Sequence, residues 1–283
     1  MTRWAWLNGG FLPFEEAKLP VTDRGFLFAD GVYEVTAVLD GRLIDSAAHL
    51  ARLARSAGVV ELPLPVDVGR IEAIERELIA RNGIDQGTVY LQLTRGAAER
   101  DFLSADDLAP TLLMFTQAKD ILGSPAAVRG ISVATVPDLR WARRDVKSIM
   151  LLAQVLAKRE ARRAGADDAW MVDGDGFVTE AASATALIVT GDGRLVTRPN
   201  GWDILPGCTR AAIERLARAD GVGIEERAFT VAEAQAGREA MISSASTFVL
   251  PVVRIDGEPV GDGRPGPVAR RLRDLYIEEA RAG

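Results

Sequence analysis

Apolar positions come in short runs separated by turn residues in the first part of the chain, which predicts strands. Residues 4–7 and 11–13 flank Asn8-Gly9, a dipeptide that suits a two-residue hairpin turn. A second β run covers 31–39, turns at Asp40-Gly41 and continues through 42–44. A helix is predicted from 46 to 57 with Gly58 ending it. The next helix is better marked. Asp67 can cap it, Ile71, Ile74, Leu78 and Ile79 form one apolar face, and Asn82-Gly83 stops it. Runs at 89–95 and 111–117 read as strands that complete a sheet.

The Gly- and Pro-containing stretch 119–125 reads as a linker. Beyond it the pattern gives a strand at 131–136 and a helix that Ser148 can cap, running to about residue 164 before Gly165. Hairpins are predicted at 169–172 with 177–179 and at 186–190 with 194–197. A helix at 209–219, strands at 240–242 and 249–255, and a helix at 266–282 complete the chain. Strands and helices do not alternate regularly, and no repeat is visible. The expected fold class is α+β in two domains: an N-terminal α+β domain (1–118), a linker (119–125) and a C-terminal α/β domain (126–283) that includes Lys147.

Composition narrows the function. The 283 residues are 48% hydrophobic and 26% charged, ordinary for a globular protein able to bury a large core. A net charge of −6 argues against a nucleic-acid partner. The lone Cys208 excludes an internal disulfide and fits a reducing compartment. The N-terminal residues carry no apolar signal core, and no run of about 20 apolar residues exists, so no membrane span is expected and the location is read as cytoplasmic. One histidine, His49, and one cysteine make a metal site an unsuitable reading. A Ser-His-Asp site would have to use His49 without a Gly-x-Ser-x-Gly elbow. His49 is read as structural, which leaves proton transfer to Lys, Tyr or a carboxylate.

Three features then stand out. The chain has four lysines beside thirty arginines (34 basic residues in all), and Lys147 follows Arg143-Arg144 and precedes an apolar run. Like charge and desolvation both favour the neutral, nucleophilic amine of a Schiff-base lysine. Ile204-Leu205-Pro206-Gly207-Cys208-Thr209-Arg210 leads into a helix whose first N–H groups could cup a phosphate. Glu180 ends a strand among small residues that would let a flat ligand approach. Each has a structural alternative: a surface lysine, a Thr209 helix cap and a turn carboxylate. Asp173-Gly174-Asp175-Gly176 is read as a turn, because it lacks the later ligands of a calcium loop. Together, an amine for an aldehyde, donors for a phosphate and an acid for a pyridine nitrogen point to pyridoxal 5′-phosphate.

The sequence also resembles the class IV (fold type IV) aminotransferases. These include D-amino acid and branched-chain aminotransferases, (R)-selective amine transaminases and aminodeoxychorismate lyase. The resemblance covers nearly the whole chain through four ordered segments: Thr22-Asp23-Arg24-Gly25 to Tyr33-Glu34-Val35, Arg140-Trp141 to Lys147-Ser148, Val178-Thr179-Glu180, and Ile204 to Arg210. It implies that Lys147 holds the cofactor and shuttles the α-proton, and that Glu180 pairs with the pyridinium nitrogen. It further implies that Arg52, Cys208, Thr209, Ser244 and Ala245 serve the phosphate and that Leu205 packs on the ring. Relatives usually carry Thr where Ala245 stands, which leaves the hydroxyl to Ser244 or Ser246. The family is generally homodimeric.

For substrate, the segments around Tyr33 and Tyr90 look most like those of the D-amino acid enzymes. There a Tyr and an Arg-x-His pair trap the α-carboxylate. Tyr33 and Arg100 match, but Phe102 stands where the His is expected, and Asp101 could draw Arg100 away. Arg24 or Arg95 is read either as compensating or as structural. The implied activity is transamination between a D-amino acid and a 2-oxo acid. The alternatives are an (R)-selective primary amine transaminase, then a branched-chain aminotransferase or an aminodeoxychorismate lyase, and, outside catalysis, a cofactor-free scaffold.

Overall fold

The computed structural model describes residues 2–282. Its contacts divide the chain into two units. One comprises Met1–Asp120 with Val146–Met150, the other Ile121–Asp145 with Leu151–Gly283.

In the first unit, β1 (Trp4–Leu7) and β2 (Gly10–Pro13) form a hairpin, followed by a 3-10 turn at Phe14–Glu16. Asn8 and Gly9 have φ of 45° and 105°, the left-handed pair that a two-residue hairpin turn needs. Then come α1 (Arg24–Phe28), β3 (Gly31–Leu39), β4 (Arg42–Leu43), α2 (Ser46–Val59), α3 (Val68–Asn82), β5 (Gly87–Thr94) and β6 (Thr111–Ala118). The strands make one antiparallel sheet in the order β2-β1-β6-β5-β3-β4. Asp67 caps α3 by accepting from Arg70 N, and Gly83 ends it with φ 58°. The apolar stripe Ile71, Ile74, Leu78 and Ile79 is buried as its spacing predicts. Helix α1 has no counterpart in the sequence reading. Five residues are too few for a periodicity, and its caps, the Asp23 carboxylate and the left-handed Ala29, define it instead.

The Lys147 segment is a correction to the expected division. It belongs to the first unit, not to the C-terminal one. Strand β4 covers only the far end of β3, so the other end is an open edge. There Tyr33 N donates to Lys147 O (2.9 Å), Ile149 N donates to Gly31 O (3.2 Å), and Val32 bridges Ser148. Gly31 makes the approach possible, since a Cβ would lie 2.5 Å from Leu93 O and 3.0 Å from Ile149 Cδ1.

In the second unit the order is α4 (Pro125–Arg129), β7 (Ile131–Pro137), α5 (Leu152–Arg163), β8 (Asp168–Val172), β9 (Val178–Ala181), β10 (Thr185–Val189), β11 (Leu195–Thr197), α6 (Cys208–Ala219), β12 (Ile224–Glu226), α7 (Val231–Ala236), β13 (Glu239–Ser244), β14 (Phe248–Ile255), β15 (Glu258–Pro259) and α8 (Pro267–Ala282). The mixed sheet runs β12-β11-β10-β13-β14-β7-β8-β9, with β15 on β14. Pairs β14–β7, β7–β8 and β11–β12 are parallel and the others antiparallel. Its core joins Trp170, Val178, Ile188, Phe229, Ile242 and Val252. Ser148 does not cap α5. The helix starts at Leu152, and the Ser148 hydroxyl instead accepts from Met150 N because its backbone is held on β3. Glu239 takes the capping role on α8, accepting from Val268 N and Ala269 N.

Candidate active site

Residues expected at the site form two clusters, one in each unit. The first is built on β3. Glu34 is buried, and both its oxygens are engaged. Oε1 accepts from Arg52 Nε (2.7 Å), and Oε2 accepts from Arg52 Nη2 (2.8 Å) and contacts His49 Nδ1 (2.8 Å). His49 and Arg52 lie one turn apart on α2, so both reach the same strand residue. Burial would push the Glu34 carboxyl up. The Arg52 guanidinium, the His49 contact and the Lys147 charge outweigh it and hold the carboxyl at about 2.

Lys147 Nζ lies 4.3 Å from the centroid of the Tyr33 ring, a cation–π distance. Tyr33 stacks on Tyr90 and Tyr90 on Phe115, with centroids 5.8 and 4.9 Å apart. The Lys147 backbone N–H donates to Ser56 Oγ on α2. The amine is thus fixed at both ends, by a backbone tether to α2 and β3 and by an aromatic platform under its charge.

The proposed substrate arginines differ from one another. Arg24 is a correction. Its Nε donates to Asp30 (2.8 Å), Nη1 to Asp101 O (2.6 Å) and Nη2 to Phe102 O (3.0 Å), so its guanidinium fork is spent on the protein. Arg95 is similarly committed, to Asp30 and to the carbonyls of Val60 and Glu61. Both guanidinium groups are engaged by the protein itself. Arg100 is exposed, with its guanidinium 5.5 Å from the Phe28 ring. Asp101 does not draw it away, because the Asp101 carboxylate accepts from Leu103 N. Phe102 is 79% exposed and packs 5.5 Å from Phe28.

The second cluster is centred on Glu180 of β9, which is 5% exposed. Its Oε2 accepts from Arg140 Nη1 and from Leu205 N (3.2 Å). Arg140 is held in turn by Asp138, through Nε at 3.0 Å and Nη2 at 2.8 Å. Thr179 Oγ1 donates to the same carboxylate at 2.6 Å. Burial works against the Arg140 charge, but Asp138 and Glu180 raise its pKa above the ordinary arginine value. Glu180 is therefore buried with a fixed cation against it.

The third element is the start of α6. Thr209 is the second residue of this helix and does not cap it. The N-cap is Gly207, with no side-chain cap bond. The first N–H groups of the helix lack intrahelical acceptors, and Cys208 and Thr209 are both buried there. A Cβ on Gly207 would lie 2.8 Å from Thr185 Oγ1, so only glycine lets the turn come so close to β10. Ser243 pairs directly with Thr185 across β10 and β13 and leaves the sheet on the same face. Its buried Oγ has no hydrogen-bond partner. The Ser244 hydroxyl bonds Thr247 Oγ1 (2.7 Å) within the turn that contains Ala245. Open helix N–H groups, a buried threonine hydroxyl and an orphaned serine hydroxyl suit a phosphate. The ion-paired carboxylate on β9 suits a protonated ring nitrogen. The residues present fit pyridoxal phosphate.

Several of these residues are not singled out by the sequence as site residues: Glu34, Ser56, Asp138, Arg140, Thr179 and Ser243. Arg140 falls within a quoted segment but carries no local signal. Its function comes from a pairing forty positions away.

The comparisons with known proteins agree with this chemistry. The model of the family Amino-transferase class IV matches residues 31–255. D-alanine aminotransferase of Staphylococcus haemolyticus is 38% identical over 276 residues, covering 96% of this chain and 97% of the relative. That of Listeria monocytogenes is 34% identical, covering 96% and 94%. The crystal structure of a T.th. branched-chain amino acid aminotransferase with pyridoxamine 5′-phosphate superposes with a TM-score of 0.92 at 26% identity, covering 100% of this chain and 95% of that one. A family match across most of the chain, with such relatives over nearly its full length, makes this protein a member of the class IV aminotransferases.

Proposed function

We propose that the protein moves an amino group from a D-amino acid to a 2-oxo acid with pyridoxal 5′-phosphate as cofactor. The observation that carries the cofactor chemistry is Glu180, a buried carboxylate backed by Arg140 and Leu205 N–H, which packing alone gives no reason to place there. The D-amino acid preference is supported by the relatives that carry that activity in their names.

When bound, the cofactor supplies an electron sink for negative charge developing at the substrate α-carbon. Lys147 Nζ would hold it covalently and, once displaced by the substrate amine, would be the free base that takes up the substrate α-proton and gives it back. Glu180, backed by Arg140, would pair with the protonated pyridine nitrogen. The α6 N–H groups, Thr209, Ser243, the Ala245 N–H and Arg52 receive the phosphate, and Leu205 packs on the ring. Tyr33 and Arg100 receive the substrate carboxylate. A second reading, an (R)-selective primary amine transaminase, is favoured by Phe102, an apolar ring with no donor for a carboxylate.

The working form is a homodimer. Its support is the apolar face of α5, where Leu152, Val155 and Leu156 are exposed at helical spacing. No helix among the described residues is long and apolar enough to cross a membrane.

The test is cofactor titration of wild type and Lys147→Ala. Wild type should develop a visible absorbance on binding and turn over D-amino acids. The variant should do neither. A variant as active as wild type sinks the reading.

A further inference from the structure

Glu75 lies on the apolar face of α3, between Ile71, Ile74, Leu78 and Ile79, with 1% of its surface exposed. Its Oε2 has no hydrogen-bond partner. An ionised carboxylate in that setting loses its hydration without compensation. Burial first, then the negative charges of Glu34 and Glu72, push the carboxyl up to about 8, against the opposing pull of His49 and Arg76.

Helix α3 packs against α2, and Glu75 lies within electrostatic reach of His49 and Glu34 in the first cluster. Helix α2 presents His49, which contacts the Glu34 carboxylate, and Glu34 holds Arg52 through two bonds. Lys147 lies beyond Glu34, close enough to lower its pKa. On its own helix Glu75 has Glu72 and Arg76, which pair with each other. Of the strands packed on α3, β4 brings Arg42, while β1 and β6 carry no ionisable side chain.

We propose that Glu75 is a positioning residue that sets, through His49 and Glu34, the charge Arg52 presents to a phosphate. With Glu75 protonated, Glu34 is the single negative charge set against Arg52. With Glu75 ionised, a second negative charge stands behind His49 and weakens the attraction of Arg52 for a phosphate dianion. The proposal rests on the reading that Arg52 binds the cofactor phosphate. It predicts that the phosphate-dependent part of cofactor affinity falls as pH rises through the Glu75 titration.

The experiment measures equilibrium binding of pyridoxamine 5′-phosphate, and of pyridoxamine without the phosphate, to the full chain from about pH 6.5 to about pH 9.5. In wild type, affinity for the phosphate form should fall about tenfold over this range, while pyridoxamine changes much less. Glu75→Gln, neutral at every pH, should remove most of the fall. A variant with the same pH course as wild type overturns the proposal. Wild type that does not bind the phosphate form at any pH overturns the aminotransferase reading instead.

An infrared titration of wild type judges Glu75 independently of both binding and the variant's folding. Above about pH 6.5 ordinary carboxyls are ionised, so a remaining protonated-carboxyl band that vanishes near pH 8 supports the proposal. Its absence overturns it.

Discussion

Arg140 Nη1 donates to Glu180 Oε2, while Nε and Nη2 of the same guanidinium hold the two oxygens of Asp138 at 3.0 and 2.8 Å. The side chains of Arg140 and Glu180 are each 7% exposed. One planar cation thus serves two buried anions, an arrangement that lysine cannot reproduce. Arg140→Met removes the cation beside Glu180 and leaves Asp138 only the longer Arg144 ion pair at 3.4 Å, and should cost roughly 3–5 kcal/mol of stability. Urea unfolding measures this. Arg140→Lys should recover part of the stability but little of the cofactor affinity, because a single ammonium cannot fork between Asp138 and Glu180.

Arg24 ties α1 to the backbone of Asp101 and Phe102, next to Arg100. Arg24→Ala should lower stability by about 2 kcal/mol, since hydrogen bonds to a charged donor are lost from a buried position. Its kinetic effect should appear in KM for the amino donor, through misplacement of Arg100, with a smaller change in kcat. A large fall in kcat with unchanged KM would contradict this supporting role.

Arg100 and Phe102 separate the two substrate readings. Arg100→Ala should raise KM for D-amino acids by about 10- to 100-fold, as expected for loss of a charge-assisted contact. It should leave turnover of (R)-amines little changed. Phe102→His restores a donor beside Arg100 and should lower KM for D-amino acids. Steady-state kinetics on both substrate classes decides. Equal losses on both classes after Arg100→Ala would mean that Arg100 does not read the carboxylate.

The two buried glutamates of the first unit pull stability in opposite directions with pH. The Glu34 carboxyl is held at about 2, below its ordinary 4.5, so its contribution is present above 4.5 and is lost as pH falls toward 2. The Glu75 carboxyl is raised to about 8, so the folded state binds its proton more tightly than the unfolded chain does. Its contribution is complete below 4.5 and is lost as pH rises toward 8. Relative to wild type, Glu75→Gln should therefore gain about 1.4 kcal/mol per pH unit within that window. Denaturant unfolding at several pH values reads the slope, and parallel pH curves for the two proteins would contradict it.

The local devices of the fold are legible in the sequence because they depend on neighbouring residues: Asn8-Gly9 for the hairpin, Asp67 and Gly83 for the ends of α3, and the Ile71–Ile79 stripe for its buried face. The segments around Lys147, Glu180 and Gly207-Cys208-Thr209 are legible for the same reason. What escapes is whatever long-range pairing decides. Lys147 follows the linker and so reads as part of the second domain, yet the open edge of β3 captures its backbone. The sequence leaves Arg24 open between a substrate and a structural role, because two of its three partners lie 77 and 78 positions away. His49 reads as structural, and its contact with Glu34 joins it to the cluster that holds Arg52. Phe102 is legible as a departure from the family pattern, but its consequence depends on what Arg100 meets in the presence of a substrate.

The most direct test of the central claim is the half-reaction. The cofactor-loaded enzyme is mixed separately with D-alanine, L-alanine and an (R)-amine, and the visible absorbance of the bound cofactor is followed in a single turnover. The proposed function predicts rapid bleaching with D-alanine, release of the corresponding 2-oxo acid, and recovery of the absorbance when a 2-oxo acid is added. Bleaching by L-alanine in preference to D-alanine, or by the (R)-amine alone, would contradict it.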